Sequence, residues 1–540
     1  MESIQGDTLI VGGGSAGCAL AARLSADPGR QVILIEAGPD DQKVLPRLLS
    51  GKFSMTGDRR FDWLYYTEAD PNMADRPRYW PRGKVLGGSS TVNGMIAVRG
   101  HRDDYDDWAA AGCAGWAWKD VLPYFRRLEN CAIGSSELHN VGGPMSISSP
   151  RGRHFLCDRF AAAARQTLNV SDNDDFNGEV QDGAAYYHLT HTPSLIPKRV
   201  SASSAYLREA RRRSNLRIIT DAHVHRITFQ GRRATGVVYE RGGVLTAATA
   251  RRQVILAAGA IGSPQLLQLS GIGDPDHLRP LGIDTVIPLR AVGENLQDHL
   301  RIGSDHRFHV STLREKVQNA CRRCLLVFEG MVLQTGLKYG AMNFGIFART
   351  DPSLPRPDVQ FHIHPSVGSL RTRDRFSVLS ISGWQLRPQS RGRIAVRSAD
   401  PQAAPAIFAN YLSCEADQRC AVATLRIAQQ LTESAPLRPY QIERLHPVPG
   451  IHSDSELLDY ARQTGETTYH PVGTCRMGAD AASVVDPHTR VRGVAGLYVA
   501  DASIMPTLIS GNTNVPAVMI GERASDLIME DERNLAKTEI

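Results

Sequence analysis

The chain has no hydrophobic run approaching the ~18–20 residues that a bilayer-spanning helix needs, so no transmembrane segment is expected. Its nine cysteines are odd in number and irregularly spaced, which excludes a disulfide framework and suits reduced thiols. One close pair, Cys321 and Cys324 in CRRC, lacks both a second pair and a flanking β-α-β unit. It reads as structural, not as a redox or metal motif. Charge of one sign is also scarce: a formal net charge of +6 over 540 residues forms no basic stripe, and no nucleic-acid partner is expected. The opening MESIQGDTLIVGGG carries neither a basic start nor a long apolar stretch, so no secretory signal and a cytoplasmic location are expected. There is no internal repeat and no low-complexity tract.

What is present is a globular composition, 42% hydrophobic and 22% charged, long enough for two interleaved domains. Thr8–Val11 is strand-like and runs straight into Gly12-Gly13-Gly14-Ser15-Ala16-Gly17. Cys18–Leu24 reads as a helix, Pro28-Gly29 breaks it, and Gln31–Ile35 is a β-branched run ending at Glu36. This β-α-β unit opens a dinucleotide-binding sheet. Further strands are predicted at Arg217–Ile219, Val237–Tyr239, Val254–Ala258 and Leu497–Ala500, and a final helix at Pro516–Leu527. A long aromatic-rich segment, Phe53–Pro81, reads as a ligand-covering loop. Asp103, Asp104, Asp106 and Asp107 are expected at a helix start, and Arg211–Arg213 at a helix end, where each complements the macrodipole. No metal site is expected.

In Gly12-x-Gly14-x-x-Gly17 the first glycine suits a tight turn and the second admits a pyrophosphate to backbone amides. The third allows close helix–sheet packing. Glu36 suits a ribose diol and disfavours a 2′-phosphate. The same stretch also spells the G-x-S-x-G of a serine hydrolase elbow. That reading would put the nucleophile on the first strand and leave Glu36 without a role, so it is set aside.

Downstream, WPRGKVLGGSSTVNG (Trp80–Gly94), GAIGSPQLLQLSGIG (Gly259–Gly273) and GENLQDH (Gly293–His299) occur in turn. YHPVGTCRMG (Tyr469–Gly478) and the blocks from Ala500 to Ser503 and from Gly511 to Pro516 complete the series. In this order, across almost the whole chain, they resemble the signatures of the glucose–methanol–choline (GMC) oxidoreductases. The resemblance implies a mixed α/β fold: a Rossmann-like FAD-binding domain interleaved with a substrate-binding domain built on an antiparallel sheet with helices. The expected division is 1–155, 190–300 and 466–540 for FAD, with 156–189 and 301–465 for substrate.

The resemblance further implies FAD held by Gly12, Gly14, Ser15, Ala16, Gly17, Glu36 and Ala37. It adds the loop residues Trp80, Arg82, Gly83, Val85, Gly87, Gly88, Ser89, Asn93, Gly94, Met95 and Ile96. Val224 would lie by the adenine, with Ala258, Gly259, Asp501, Ala502, Asn512, Asn514 and Val515 closing the wall. Val92 stands where some members attach FAD through a histidine, so non-covalent FAD is expected. His470 matches the catalytic histidine, a general base for an alcohol whose hydride goes to flavin N5. Asn514 matches its partner, a donor to the developing alkoxide. His299 is expected to be structural, and Cys475 and Met477 to pack. The expected activity is an alcohol dehydrogenase using a quinone, dye or other non-oxygen acceptor. An alcohol oxidase using O2 is the runner-up, and a cyanohydrin lyase is a third reading. Sparse aromatics such as Phe361, Trp384 and Tyr411 weaken a choline-type aromatic cage.

Overall fold

The first strand, Ser3–Val11, lies at the centre of a seven-stranded mixed sheet in a computed structural model that describes residues 3–42, 55–150, 153–194, 197–309, 344–364 and 378–538. Cys321 and Cys324 lie outside the described residues. The strand pairs in parallel with Val32–Ile35, which pairs in parallel with Leu216–Ile219. On its other side it pairs in parallel with Val244–Leu256. That long strand divides its far edge. Val244–Thr249 pairs antiparallel with Arg233–Arg241, while Val254–Leu256 pairs parallel with Leu497–Val499. The C-terminal segment is thereby brought beside the first glycine turn.

Apolar side chains drive this arrangement. Leu9, Ile10, Leu34, Val254 and Ile255 are fully buried, and so are Leu20 of the helix Ser15–Leu24 and Val518 and Met519 of the final helix. Each such side chain contributes about 1.5–3 kcal/mol of hydrophobic burial. The final helix runs Asn514–Thr538, longer than the apolar pattern predicts. Charged residues along it are held by specific partners, in the extension by Glu532. Buried Glu522 accepts from Arg23, Arg127 and Tyr206, and Glu532 pairs with Arg30.

The second sheet is antiparallel, in the order Gln441–His446, Leu300–Phe308, Val378–Gln385, Val359–His364, Phe344–Ala348, Gly183–Tyr186. Alternation assigns its two faces. Phe308, Ile381, Phe361 and Ile363 pack with Ile427 and Leu431 of the helix Glu415–Glu433 and with Phe160 of the helix Phe155–Leu168. The other face looks toward the first sheet. Among the described residues no helix is long and apolar enough to cross a membrane.

The aspartate cluster does open a helix, Arg102–Ala110, where Asp104 closes a capping box with His101. Asp104 is also buried and accepts from the amide and hydroxyl of Ser510, tying this helix to the loop that carries Asn512. Arg211 lies at a helix end as expected, capping the short helix Arg208–Ala210, and it also forms ion pairs with Asp40 and Asp41.

Candidate active site

Between the sheets lies a cavity of about 850 Å³, walled by the glycine loops on one side and the antiparallel sheet on the other. At Gly12 the backbone has φ +101°, and a Cβ there would stand 2.5 Å from the Ala257 carbonyl oxygen. Only glycine makes this turn without moving the sheet. The helix Ser15–Leu24 follows with Gly14 as its N-cap, no side chain capping it and no acid in its first turn. Its first N–H groups and positive dipole end are left for an anion.

Glu36 lines the cavity and accepts from the amides of Gly13 and Gly38, both at 2.8 Å. Burial pushes its carboxyl up to about 7, against the lowering effect of those amides. The second glycine loop stacks on the first: the Gly87 amide donates to the Gly13 carbonyl at 2.7 Å. A Cβ at Gly88, where φ is +54°, would lie 2.7 Å from Gly14 Cα. Backbone meets backbone here.

His470 comes from the opposite direction. The short strand Glu466–Thr467 pairs with Leu300–Arg301 and delivers Thr468 to His470 into the space between the sheets. Buried Asp298 holds this segment, accepting from the His470 amide at 2.7 Å, the Thr467 hydroxyl at 2.6 Å and the Tyr411 hydroxyl. Burial raises the Asp298 carboxyl above its ordinary range, with these bonds opposing. Tyr469 sits at φ +71°, a left-handed conformation that costs a non-glycine residue about 1–3 kcal/mol and is held by the surrounding bonds.

The donors and acceptors around His470 define its tautomer. Fully buried His299 faces the Leu386 carbonyl through Nε2 at 2.9 Å, so that nitrogen carries the proton and donates. Burial lowers the His299 imidazole to about 4, keeping it neutral. Its Nδ1 is then an acceptor, and it stands 3.0 Å from His470 Nδ1, which donates. On the other side, the Tyr187 hydroxyl donates to the Phe361 carbonyl at 3.0 Å and accepts from Gln360 Nε2 at 2.8 Å. Gln360 Nε2 also donates to Asn512 Oδ1 at 3.4 Å, which turns Asn512 Nδ2 toward His470 Nε2 at 3.1 Å. Two backbone carbonyls thus anchor a chain in which Nε2 is left unprotonated and accepts from Asn512, a residue that lines the cavity beside it.

Of the sequence-predicted residues, His470, Gly12, Gly14, Ser15, Ala16, Glu36, Ala37, Arg82, Gly83, Gly88 and Ser89 line the cavity. So do Asn93, Gly94, Met95, Ile96, Val224, Ala258, Gly259, Asp501, Ala502, Asn512 and Asn514. Five expected wall residues stand behind it. A Cβ at Gly17 would lie 1.9 Å from the Gly12 oxygen, so this glycine serves helix packing. Gly87 ties the loops together, Trp80 is buried beside Tyr411, and Val85 and Val515 are core. Asp501 accepts from Gly259, Ser263 and Ser503, so its carboxylate knits the wall as well as lining it. Asn514 accepts from the Ser15 hydroxyl at 2.9 Å, while its buried Nδ2 has no partner among the described residues. Asn512, expected in the cofactor wall, is the residue that hydrogen-bonds His470. His299, expected to be structural, touches it from behind. Neither role has a local signal: the partners are 42 and 171 residues away along the chain.

A second buried polar group needs separating from the site. Ligand atoms of Glu129, Cys131 and His139 lie within 4.8 Å of one another. Arg99 donates to Glu129 at 2.7 Å and His139 to Asp175 at 2.7 Å, which makes this an ion-pair network whose cation is already supplied.

The mixed sheet with an open helix terminus, a backbone-walled cavity and an oriented histidine opposite define a flavoprotein oxidoreductase of mixed α/β architecture. The chain belongs to the GMC oxidoreductase family, whose two family models match residues 6–301 and 388–521. FAD is the cofactor typical of that family. It is 39% identical to the mitochondrial choline dehydrogenase of Homo sapiens over 96% of this chain and 89% of that one. It is 37% identical to the alcohol dehydrogenase [acceptor] of Pseudomonas putida over 97% and 95%. Among solved structures it superposes on pyridoxine 4-oxidase from Mesorbium loti with a TM-score of 0.87 and 29% identity, covering 96% of this chain and 98% of that one.

Proposed function

We propose that this chain oxidises an alcohol, with His470 Nε2 taking the hydroxyl proton, and delivers the electrons to an acceptor other than O2. The observation that carries this is the orientation of His470: its Nδ1 proton is engaged by His299, so Nε2 is the basic nitrogen of a residue that lines the cavity.

The residues present fit FAD. The uncapped helix start at Gly14–Ala16 suits the pyrophosphate. Glu36 retains acceptor capacity for a ribose hydroxyl. Gly88 to Ile96 offer backbone to a flat ring, and the unpartnered Asn514 Nδ2 is a donor awaiting an acceptor. Bound FAD supplies the acceptor for the carbon-bound hydrogen, which leaves as hydride. The chain's own part is to seat the carbinol against Nε2, to take its proton and to exclude water. Asn512 Nδ2 occupies the Nε2 lone pair until substrate arrives. The proton moves from oxygen to Nε2 while the carbon–oxygen bond becomes a carbonyl. Val92 lines the cavity and has no nucleophilic atom, which supports non-covalent FAD.

The 37% identity to the alcohol dehydrogenase [acceptor] of Pseudomonas putida supports the acceptor reading. Anaerobic mixing with alcohols tests the first part: the flavin should bleach, and His470→Ala should retain FAD yet bleach at least ~100-fold more slowly. A His470→Ala enzyme that bleaches at the normal rate removes the base from this mechanism. Reoxidation by a quinone analogue faster than by air is expected. Rapid reoxidation by air with hydrogen peroxide released makes it an oxidase.

A further inference from the structure

Across the cavity from the glycine loops, the antiparallel sheet presents a polar face. In Leu300–Phe308 the core takes Ile302, Ser304, His306 and Phe308, leaving Arg301, Gly303 and Asp305 toward the cavity. Register extends the pattern. Ser382 is opposite Gly303, Ser380 is opposite Asp305, and His362 is opposite Ser382 on the next strand. All of them line the cavity, and the Ser380 hydroxyl donates to Asp305. Trp384 is 3% exposed, also lines the cavity, and its indole N–H is a buried donor with no partner among the described residues. Leaving such a donor unmet carries a desolvation penalty that a ligand oxygen removes.

We propose that this face recognises a polyhydroxylated alcohol, in which hydroxyls beyond the reacting carbon meet Trp384, Ser382, Asp305 and Arg301. The inference rests on the alcohol-oxidising reading and specifies its substrate class. A hydroxyl both donates and accepts, and the face offers both kinds of group on adjacent strands at one side-chain level. A quaternary ammonium has neither capacity and calls for several aromatic faces. Here Trp384 shares its sheet face with His362, Ser380, Ser382 and Asp305, and the cation Arg301 lines the same cavity, where it opposes a second positive charge. An alkyl chain would strip water from these groups and return nothing.

Anaerobic flavin reduction of the holoenzyme by erythritol, 1-butanol and choline tests this, since the first two share a four-carbon skeleton. Erythritol should reduce the flavin at least tenfold more efficiently than either of the others. Trp384→Phe keeps the ring and removes the N–H, and Ser382→Ala removes one hydroxyl. Each should raise the half-saturating erythritol concentration severalfold, and by a larger factor than that for 1-butanol. Faster reduction by 1-butanol or choline overturns the inference while leaving alcohol oxidation intact. An erythritol preference that survives both substitutions overturns the assignment to this face. Reduction by none of the three overturns the alcohol reading itself, and this inference with it.

Discussion

Replacing His299 by alanine removes the acceptor that holds the His470 Nδ1 proton, while touching nothing on the substrate side. His470 can then turn or change tautomer. Flavin reduction should slow by about tenfold, the kinetic equivalent of one lost hydrogen bond of about 1.4 kcal/mol. FAD content should stay at the wild-type level. The comparison that decides it is His299→Ala against His470→Ala in the same anaerobic experiment. An unchanged rate would mean that Thr468, whose hydroxyl also lies 3.0 Å from His470 Nδ1, suffices to orient the ring. The motif around His470 made this residue legible in the sequence. Its partners were not, because Asn512, Gln360 and His299 acquire their roles from strand register and loop docking. A histidine next to Asp298 in the chain looks the same whether its ring faces a carbonyl, water or a catalytic nitrogen.

At the scale of elements, the two glycine loops behave as one unit. Gly88→Ala would place a methyl group 2.7 Å from Gly14 Cα in a left-handed conformation, and the contact is with backbone, so no side chain can swing aside. The loops should part and the purified protein should carry much less flavin, read from its flavin-to-protein absorbance ratio. Wild-type flavin content in this variant would show that the stacking is dispensable. Such loops are readable in a sequence because glycine is required there for steric reasons. The extent of helices is less readable: Ser15–Leu24 starts three residues earlier than its alanine- and leucine-rich pattern suggests, and the last helix continues through a charged stretch in which Glu532 is held by Arg30.

The Arg99–Glu129–His139–Asp175 network gives a second test at this scale. Hydrogen bonds to Asp175, Cys131 and Glu129 outweigh burial and raise the His139 imidazole to about 11. A raised histidine contributes stability fully below its unfolded value near 6.5 and loses it as the pH climbs toward the folded value. His139→Gln should therefore destabilise by about 3–5 kcal/mol, as expected for one partner lost from a buried pair. The gap in melting temperature from wild type should be widest at or below pH 6 and narrow steadily toward pH 10. A gap independent of pH would show that His139 acts through packing and not through its charge.

At the scale of the whole molecule, the chain passes between the sheets repeatedly. Gly183–Tyr186 joins the second sheet before Leu216–Leu256 completes most of the first, and Leu497–Val499 returns to the first after Glu466–Thr467 has paired with the second. Neither layer can be completed without the other, so one cooperative unfolding transition is expected. The cofactor wall draws on both ends of the chain, and the cavity itself on both sheets, so a bound ligand should stabilise all of it together. At a thousandfold excess over its dissociation constant, FAD contributes about 4 kcal/mol. For a chain of this length that corresponds to roughly 3–4 °C in melting temperature. Stripping the flavin under mild chaotropic conditions and adding it back should move a single calorimetric peak down and up by that amount. If instead the holoprotein melts in two peaks and only one responds to FAD, the sheets unfold independently, and the docking of His470 between them carries little of the fold's stability.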